Sequence, residues 1–354
     1  MRTKIIAALL AVLTALGGLN LFQSIRDRIQ PADTEMAVEA EVAVSSESRS
    51  LRNKTDRRER SSRSKAVVRS VARSGGEVKF DESFRVSDGD DLVVNISHAD
   101  VSIETGPGSE ATVKVSVESR NMSRADERFD AMNWEVYQEG DEVHVRAESP
   151  NGNWNVDMSI DVQITIPAEF DVDVETSHGD LDMEDLEGRL HLLTSHGNVE
   201  LESVTGDLIW VKSSHGDIAA TLLRSDQVDI QTSHADIEII AVYSNEFNAT
   251  TSHADVEVGH LEGETAVTTS HGDINVSLVG DKAATFNTQH GDVELHIDED
   301  ASADLDLRGA EVRIGSSMEI RGNVSDDRVD ASINGGGATI KARTTHGSVS
   351  VRNR

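Results

Sequence analysis

Nine of the thirteen histidines occupy one slot of a recurring four-residue phrase. The phrase runs Ser177-His178-Gly179-Asp180, Ser195-His196-Gly197-Asn198, Ser214-His215-Gly216-Asp217, Ser233-His234-Ala235-Asp236, Ser252-His253-Ala254-Asp255, Ser270-His271-Gly272-Asp273 and Gln289-His290-Gly291-Asp292. An eighth copy, Thr345-His346-Gly347-Ser348, lies well downstream of these, and a ninth, Ser97-His98-Ala99-Asp100, stands upstream. Imidazole and carboxylate are proper ligands for zinc or nickel. The candidate metal set is therefore His178, His196, His215, His234, His253, His271 and His290 with Asp180, Asp217, Asp236, Asp255, Asp273 and Asp292. Two other readings fit the same residues. His and Asp are turn residues whose side chains cap local backbone, with no ligand involved. Imidazole also titrates near neutrality, so a row of them would answer collectively to pH. The Asp or Asn two residues after each array His favours the imidazolium, which places folded-state pKa values above about 6.5 if the row is exposed.

Catalysis does not suit this pattern. A reaction needs unlike groups converging in one cleft, whereas the array offers equivalent rows and no singular site. Within one turn, Asp cannot reach the far side of the imidazole to orient it as a relay requires. The chain reads as a non-enzyme with no cofactor, and no catalytic residue is assigned.

The elements that position these residues follow from the spacing. From His178 to His290 the array recurs at a nearly constant interval. A period of about 19 residues is too short for helical-hairpin repeats and suits one coil of a stacked, all-β solenoid of the parallel β-helix type. Three residues after each His comes an aliphatic side chain, Val101, Leu181, Val199, Ile218, Ile237, Val256, Ile274, Val293 or Val349. Four before it the residue is again apolar, as in Val174, Leu192, Val211 and Ile230. Alternation marks strands with one buried face, but the parity slips by one across the phrase, so the chain bends there. Ala replaces Gly after the His in three copies, so that position does not demand a left-handed conformation throughout. His itself is then expected at the left-handed corner, with Asp bonding local backbone. About eleven coils at about 4.8 Å make a rod roughly 50 Å long.

Between His290 and His346 degenerate coils are expected, since Arg308-Gly309-Ala310-Glu311-Val312 and Arg321-Gly322-Asn323-Val324 echo the pattern without His. The last coil, 338–351, would then be the terminal one, with Lys341, Arg343, Arg352 and Arg354 discouraging end-to-end stacking. Between the upstream copy and the array lies an insert. Residues 123–133 read as a short helix capped by Ser123, followed by a hairpin around Glu139-Gly140-Asp141. It reads as a cap on the first coil or a binding surface.

These residues resemble the bacterial "putative adhesin" family, β-strand-repeat proteins of unknown function. That family carries a Thr-x-Ser/Asn-Gly-Asp-Ile/Val phrase at the same period and a Gly-Gly-Gly run before a final coil. The matching residues here are 232–237, 269–274, 288–293 and 345–349, with Gly335, Gly336 and Gly337. The stretch 162–167 leading to 172–174 resembles the start of the family's repeats. The resemblance covers roughly residues 76–354 and implies the fold rather than an activity. This chain departs from the family in placing His where Asn or Ser is usual.

The chain has no Cys, which excludes disulfides, thiolate metal sites and a lipid-modified N-terminal Cys. Residues 1–22 pair a basic start with an uncharged apolar stretch, which reads as a signal peptide or membrane anchor. Residues 23–75 read as a disordered linker, and 49–73 hold ten basic residues against Asp56 and Glu59. That run could meet an anionic membrane surface. Residues 74–354 carry 19 basic and 56 acidic groups, a net charge of −37, which excludes nucleic acid as a partner. So acidic a surface depends on salt to screen its self-repulsion, or binds cations. The organisation expected is 1–22 export segment, 23–75 linker, 76–170 N-terminal β region with cap, and 171–354 solenoid repeats. The function expected is an exported structural or adhesive module at a bacterial cell envelope, meeting an unidentified surface ligand. A divalent-metal-binding periplasmic protein is the alternative, and a self-assembling scaffold the third.

Overall fold

The computed structural model describes residues 76–148, 158–315 and 318–354. The expected export segment, linker and basic run at 49–73 lie outside them. Residues 75–354 form one compact unit. Its first part holds β1 (Glu77–Arg85), β2 (Asp91–His98), β3 (Asp100–Thr105), β4 (Glu110–Ser119), helix α1 (Met122–Phe129), β5 (Asn133–Glu139), β6 (Glu142–Glu148) and β7 (Met158–Ile166). The repeats follow as β8 (Asp171–His178), β9 (Leu181–Glu187), β10 (Leu190–Leu193), β11 (Val199–Lys212), β12 (Ile218–Gln231), β13 (Ile237–Thr250) and β14 (Val256–Thr268). They continue through β15 (Ile274–Leu278), β16 (Ala284–Asn287) and β17 (Val293–Ile297). The chain closes with β18 (Ala303–Arg308), β19 (Glu311–Ile314), β20 (Ile320–Val324), β21 (Arg328–Ile333), β22 (Ala338–Arg343) and β23 (Ser348–Asn353).

Each coil has two arms. One leads into the histidine turn and the other leaves it, and every arm pairs in parallel with its equivalent one coil away. The aliphatic slot three after each His builds the core: Val199, Ile218, Ile237, Val256, Ile274, Val293 and Val349 are in register and fully buried. On the incoming arm Leu192, Val211, Ile230, Ala249, Val267 and Phe286 do the same. The parity slip has its expected cause. In the coil of His196 the strands stop at Leu193 and resume at Val199, so the bend is the phrase itself.

The stacking order departs from the sequence order at both ends. On the incoming arm the rungs run β6, β2, β8, β10, then β11 to β14 in turn, then β16, β22 and β18, eleven in all. The coil of β2 and β3 thus lies inside the β6–β7 coil, and the coil of β22 and β23 inside the β18–β19 coil. The final coil is therefore not terminal, contrary to expectation, and its basic residues do not guard an end. The Arg308 to Val312 echo is a true rung. The Arg321 to Val324 echo is not, because β20 pairs antiparallel with β21, which pairs antiparallel with β18. At the other end β5 closes antiparallel on β6, and β4 and β1 close antiparallel beyond β7.

The helix is shorter than residues 123–133 suggest and its cap is Asn121, whose Oδ1 accepts from Arg124 N at 3.3 Å. Ala125, Phe129 and Met132 are buried as their spacing requires. Phe129 stacks on Trp134 at 5.1 Å and meets Phe80 at 5.8 Å, so the aromatic residues cover this end of the core. The hairpin turns at Gly140, with φ 68°, as its sequence demands.

Candidate functional site

Three columns run through the histidine turn, and each is built by repetition of one slot. The outermost is imidazole. His98, His178, His196, His215, His234, His253, His271, His290 and His346 form one unbroken stack, with ring centroids 4.3 to 5.1 Å apart and planes within 11° of parallel. The upstream and downstream copies, distant in sequence, complete its two ends. Eight of the nine are exposed and His98 is half-buried. In the coils of His215, His290 and His346, Nδ1 donates to the carbonyl of Ser195, Ser270 and Gln289 one coil back, at 3.3, 3.4 and 3.2 Å. A carbonyl accepts only, so the proton sits on Nδ1 and the neutral ring keeps its lone pair on Nε2.

The expected left-handed corner at His is not there. Among the described residues the one non-glycine with positive φ is Asn334. The chain turns instead by tight coil-to-coil approach: a Cβ on Gly197 would stand 1.6 Å from the Gly179 carbonyl oxygen.

The second column is acidic. Asp180 Oδ1 accepts from Asn198 N, Asn198 from Asp217 N, Asp217 from Asp236 N, Asp236 from Asp255 N, Asp255 from Asp273 N and Asp273 from Asp292 N, at 2.7 to 3.0 Å. Asp100 begins this ladder at Asp180 N and Asp292 ends it at Ser348 N. The expected local bond is thus a bond between coils. Each Asp meets a backbone dipole one rung away.

The third column is the Thr or Ser two before the His, the first residue of the phrase at 232–237, 269–274 and 288–293, to which the sequence assigns no role. Thr269 Oγ1 accepts from Gly272 N at 3.2 Å and donates to the Ala254 carbonyl at 3.1 Å. Thr288 repeats this with Gly291 N at 3.2 Å and the Gly272 carbonyl at 3.0 Å, and Thr344 with Gly347 N and the Gly291 carbonyl. Thr194, Ser213, Thr232 and Thr251 are buried in the same slot. The available signal was a hydroxyl two before each His of the phrase from His178 to His346, where the upstream copy has the aliphatic Ile96.

A fourth row lies four after the His, on the outer face of the outgoing arm. Glu200 neighbours Asp182, and Glu257 neighbours Glu238, across parallel strands. Burial, followed by Glu238 and Asp255, pushes Glu257 up to about 7. Burial, then Glu200, Asp180 and Asp100, pushes Asp182 up to about 6. Glu200 is raised by burial and by Asp180. For His98, the half-buried upstream copy outside the array, burial first and the neighbouring His178 second hold it below the usual histidine value.

The structure therefore brings the thirteen candidate ligands together as two columns rather than as clusters. Among the described residues no three His, Asp or Glu converge as a metal site. Nitrogens on one tetrahedral ion stand about 3.3 Å apart with bonds near 2.0 Å, so adjacent rings must lean together before an ion could bridge them.

A family model, Toastrack DUF4097, matches residues 90–352. Among solved structures, a "putative adhesin" from Bacteroides fragilis is 11% identical, covering 78% of this chain and 97% of that one, with a TM-score of 0.40. Another from Parabacteroides distasonis is 14% identical, covering 79% and 98%, with a TM-score of 0.38. A third from Parabacteroides merdae is 12% identical, covering 79% and 97%, again at 0.38. No curated protein matches the sequence.

Proposed function

Because the chain belongs to the Toastrack DUF4097 family, we propose that it is an exported, non-enzymatic β-solenoid serving as a structural or adhesive module of a bacterial envelope. The observation that carries this reading is the nine-ring imidazole stack, exposed over eight rungs and repeated at the spacing of the sheet. Such a face is regular and multivalent, which suits contact with an extended surface. It offers equivalent rows instead of a nucleophile, base and orienting group in distinct roles. Residues 1–22 supply export and 49–73 a basic contact with anionic lipid. The test is surface labelling of bacteria producing the tagged chain with and without residues 1–22. Label on intact cells that vanishes with the deletion supports the reading; equal recovery from the cytosol in both overturns it.

A second reading gives the stack divalent metal. It is favoured by the Nδ1 bonds to carbonyls, which leave Nε2 as the free lone pair of His215, His290 and His346 in their neutral form. Zinc or nickel would be held by neighbouring rings leaning together, with water in the remaining positions. Elemental analysis of protein purified without a tag or metal column decides it: stoichiometric metal supports this reading and its absence removes it. The scaffold alternative would need edge pairing at an end of the stack; at one such end, on β20, Arg321 is paired with Glu319 at 2.6 Å.

A further inference from the structure

At the end of the stack away from β18, strands β1 and β5 face each other across an open groove of about 490 Å³. Phe80 and Glu82 of β1 line one side, and Trp134, Glu135, Val136 and Tyr137 of β5 the other. Its size falls within the usual range of ligand sites. Four consecutive residues of β5 cannot all present side chains to one face, so the strand's main-chain edge forms that wall. Among the described residues, β5 pairs with β6 alone and β1 with β4 alone. Each strand thus has an unused row of N–H and C=O groups. Gln138 Nε2 donates to the Arg85 carbonyl at 3.0 Å and ties the two strands at one end. The Phe80, Phe129 and Trp134 rings close the other. Trp134 Nε1 is buried and has no hydrogen-bond partner among the described residues. A buried indole N–H ordinarily finds an acceptor, and its lack of one leaves a desolvated donor uncompensated.

From these observations we infer that the groove binds an extended peptide segment of a partner protein by strand addition, with apolar side chains alternating with Lys or Arg. The free edge of β5 specifies an extended main chain, because only a strand supplies donors and acceptors at matching spacing. The aromatic lining takes the apolar side chains, and Glu82 and Glu135 at the rim take the basic ones. Trp134 lines the groove, so its buried indole N–H senses a strand seated there through its altered surroundings. This site is separate from the histidine stack and does not depend on it.

The test uses the full chain and two synthetic peptides of equal charge. One alternates Lys with Val and Phe; the other has Pro at two central positions and cannot complete a ladder. The first should bind and move the indole N–H resonance of Trp134, with the resonance assigned through Trp134→Phe. The Pro peptide should bind at least about tenfold more weakly, and Glu82→Gln with Glu135→Gln should weaken the first peptide about tenfold at low salt. Tyr137→Ala keeps the test available should the Trp134 variant fail to fold. Equal binding of both peptides would mean attraction to the acidic surface alone and overturns the proposal, as does an unmoved indole signal. Self-association of the free chain that competes with the peptide and is lost in the same variants would replace the partner by a second copy, and overturns it too.

Discussion

The inside and the outside of the histidine turn repeat with equal regularity, yet their residues are held by different forces. Two residues before His215, His271, His290 and His346, a buried Ser or Thr spans two coils, closing its own turn and bonding the carbonyl of the preceding one. Those backbone groups have no water to turn to, so the hydroxyl is indispensable to them. The ring itself stands in solvent, stacks on its neighbours above and below, and at three rungs adds a long bond of 3.2 to 3.4 Å. Regular repetition therefore does not by itself identify a structural residue. Burial with a bonding partner does.

That contrast can be broken most violently at the inward strand slot. Ile237→Asp places a charge at a fully buried position whose neighbours in register, Ile218 and Val256, are aliphatic. A cost of several kcal/mol is expected, with loss of strand signal in circular dichroism over the adjoining coils. An unchanged spectrum would show that the slot tolerates water. Thr288→Val removes both bonds of one inner-column residue, keeps its shape, and leaves Gly291 N–H and the Gly272 carbonyl without partners. About 2–3 kcal/mol of destabilisation is expected, read as the denaturant midpoint at unchanged slope.

The acidic row gives a smaller, pH-dependent effect. Glu257 is raised from its ordinary value to about 7, so its folded form holds a proton that the unfolded chain has released. Its stabilising contribution is complete below about 4.5 and is lost as pH rises through about 7. His98 has the opposite sign: its lowered value gives stability present above the ordinary histidine pKa and lost as pH falls below it. Glu257 and Asp182, both raised, therefore favour the fold near pH 6 over pH 8. Glu257→Gln should stabilise the fold at pH 8 by about 1–2 kcal/mol and change little at pH 5, read as the melting temperature. A gain of equal size at both values would disconnect it from titration. Smallest of all, His290→Ala should cost under about 1 kcal/mol, since it loses exposed ring contacts and one long bond. If it matched Thr288→Val, the outer column would be as structural as the inner one.

Much of this architecture was legible in residues. Alternation at Val199 and Leu201, then at Leu192 and Thr194, carries the strands and the bend between them, because side-chain direction depends only on neighbours along the chain. The inner column was visible as recurring Thr or Ser but carried no meaning without the facing carbonyl. The raised Glu257 could not be read at all. Its environment is Glu238 and Asp255, one coil and two residues away, and the first is near only after stacking.

The sequence by itself determined the period, the buried slots, the place of the turn and the single file of His178 to His290. Each follows from local periodicity in consecutive coils. Only tertiary structure decided that His98 and His346 join that file, that residues 91–105 and 338–353 lie one rung in from the ends, and that β18 and β6 lie outside them. The physical reason is that an inward aliphatic row pairs with whichever row fits its register. Val349 meets Val293 across the whole of β18 to β22 in the same parallel register by which Ile237 meets Ile218 of the adjoining coil, and nothing along the intervening chain records that choice.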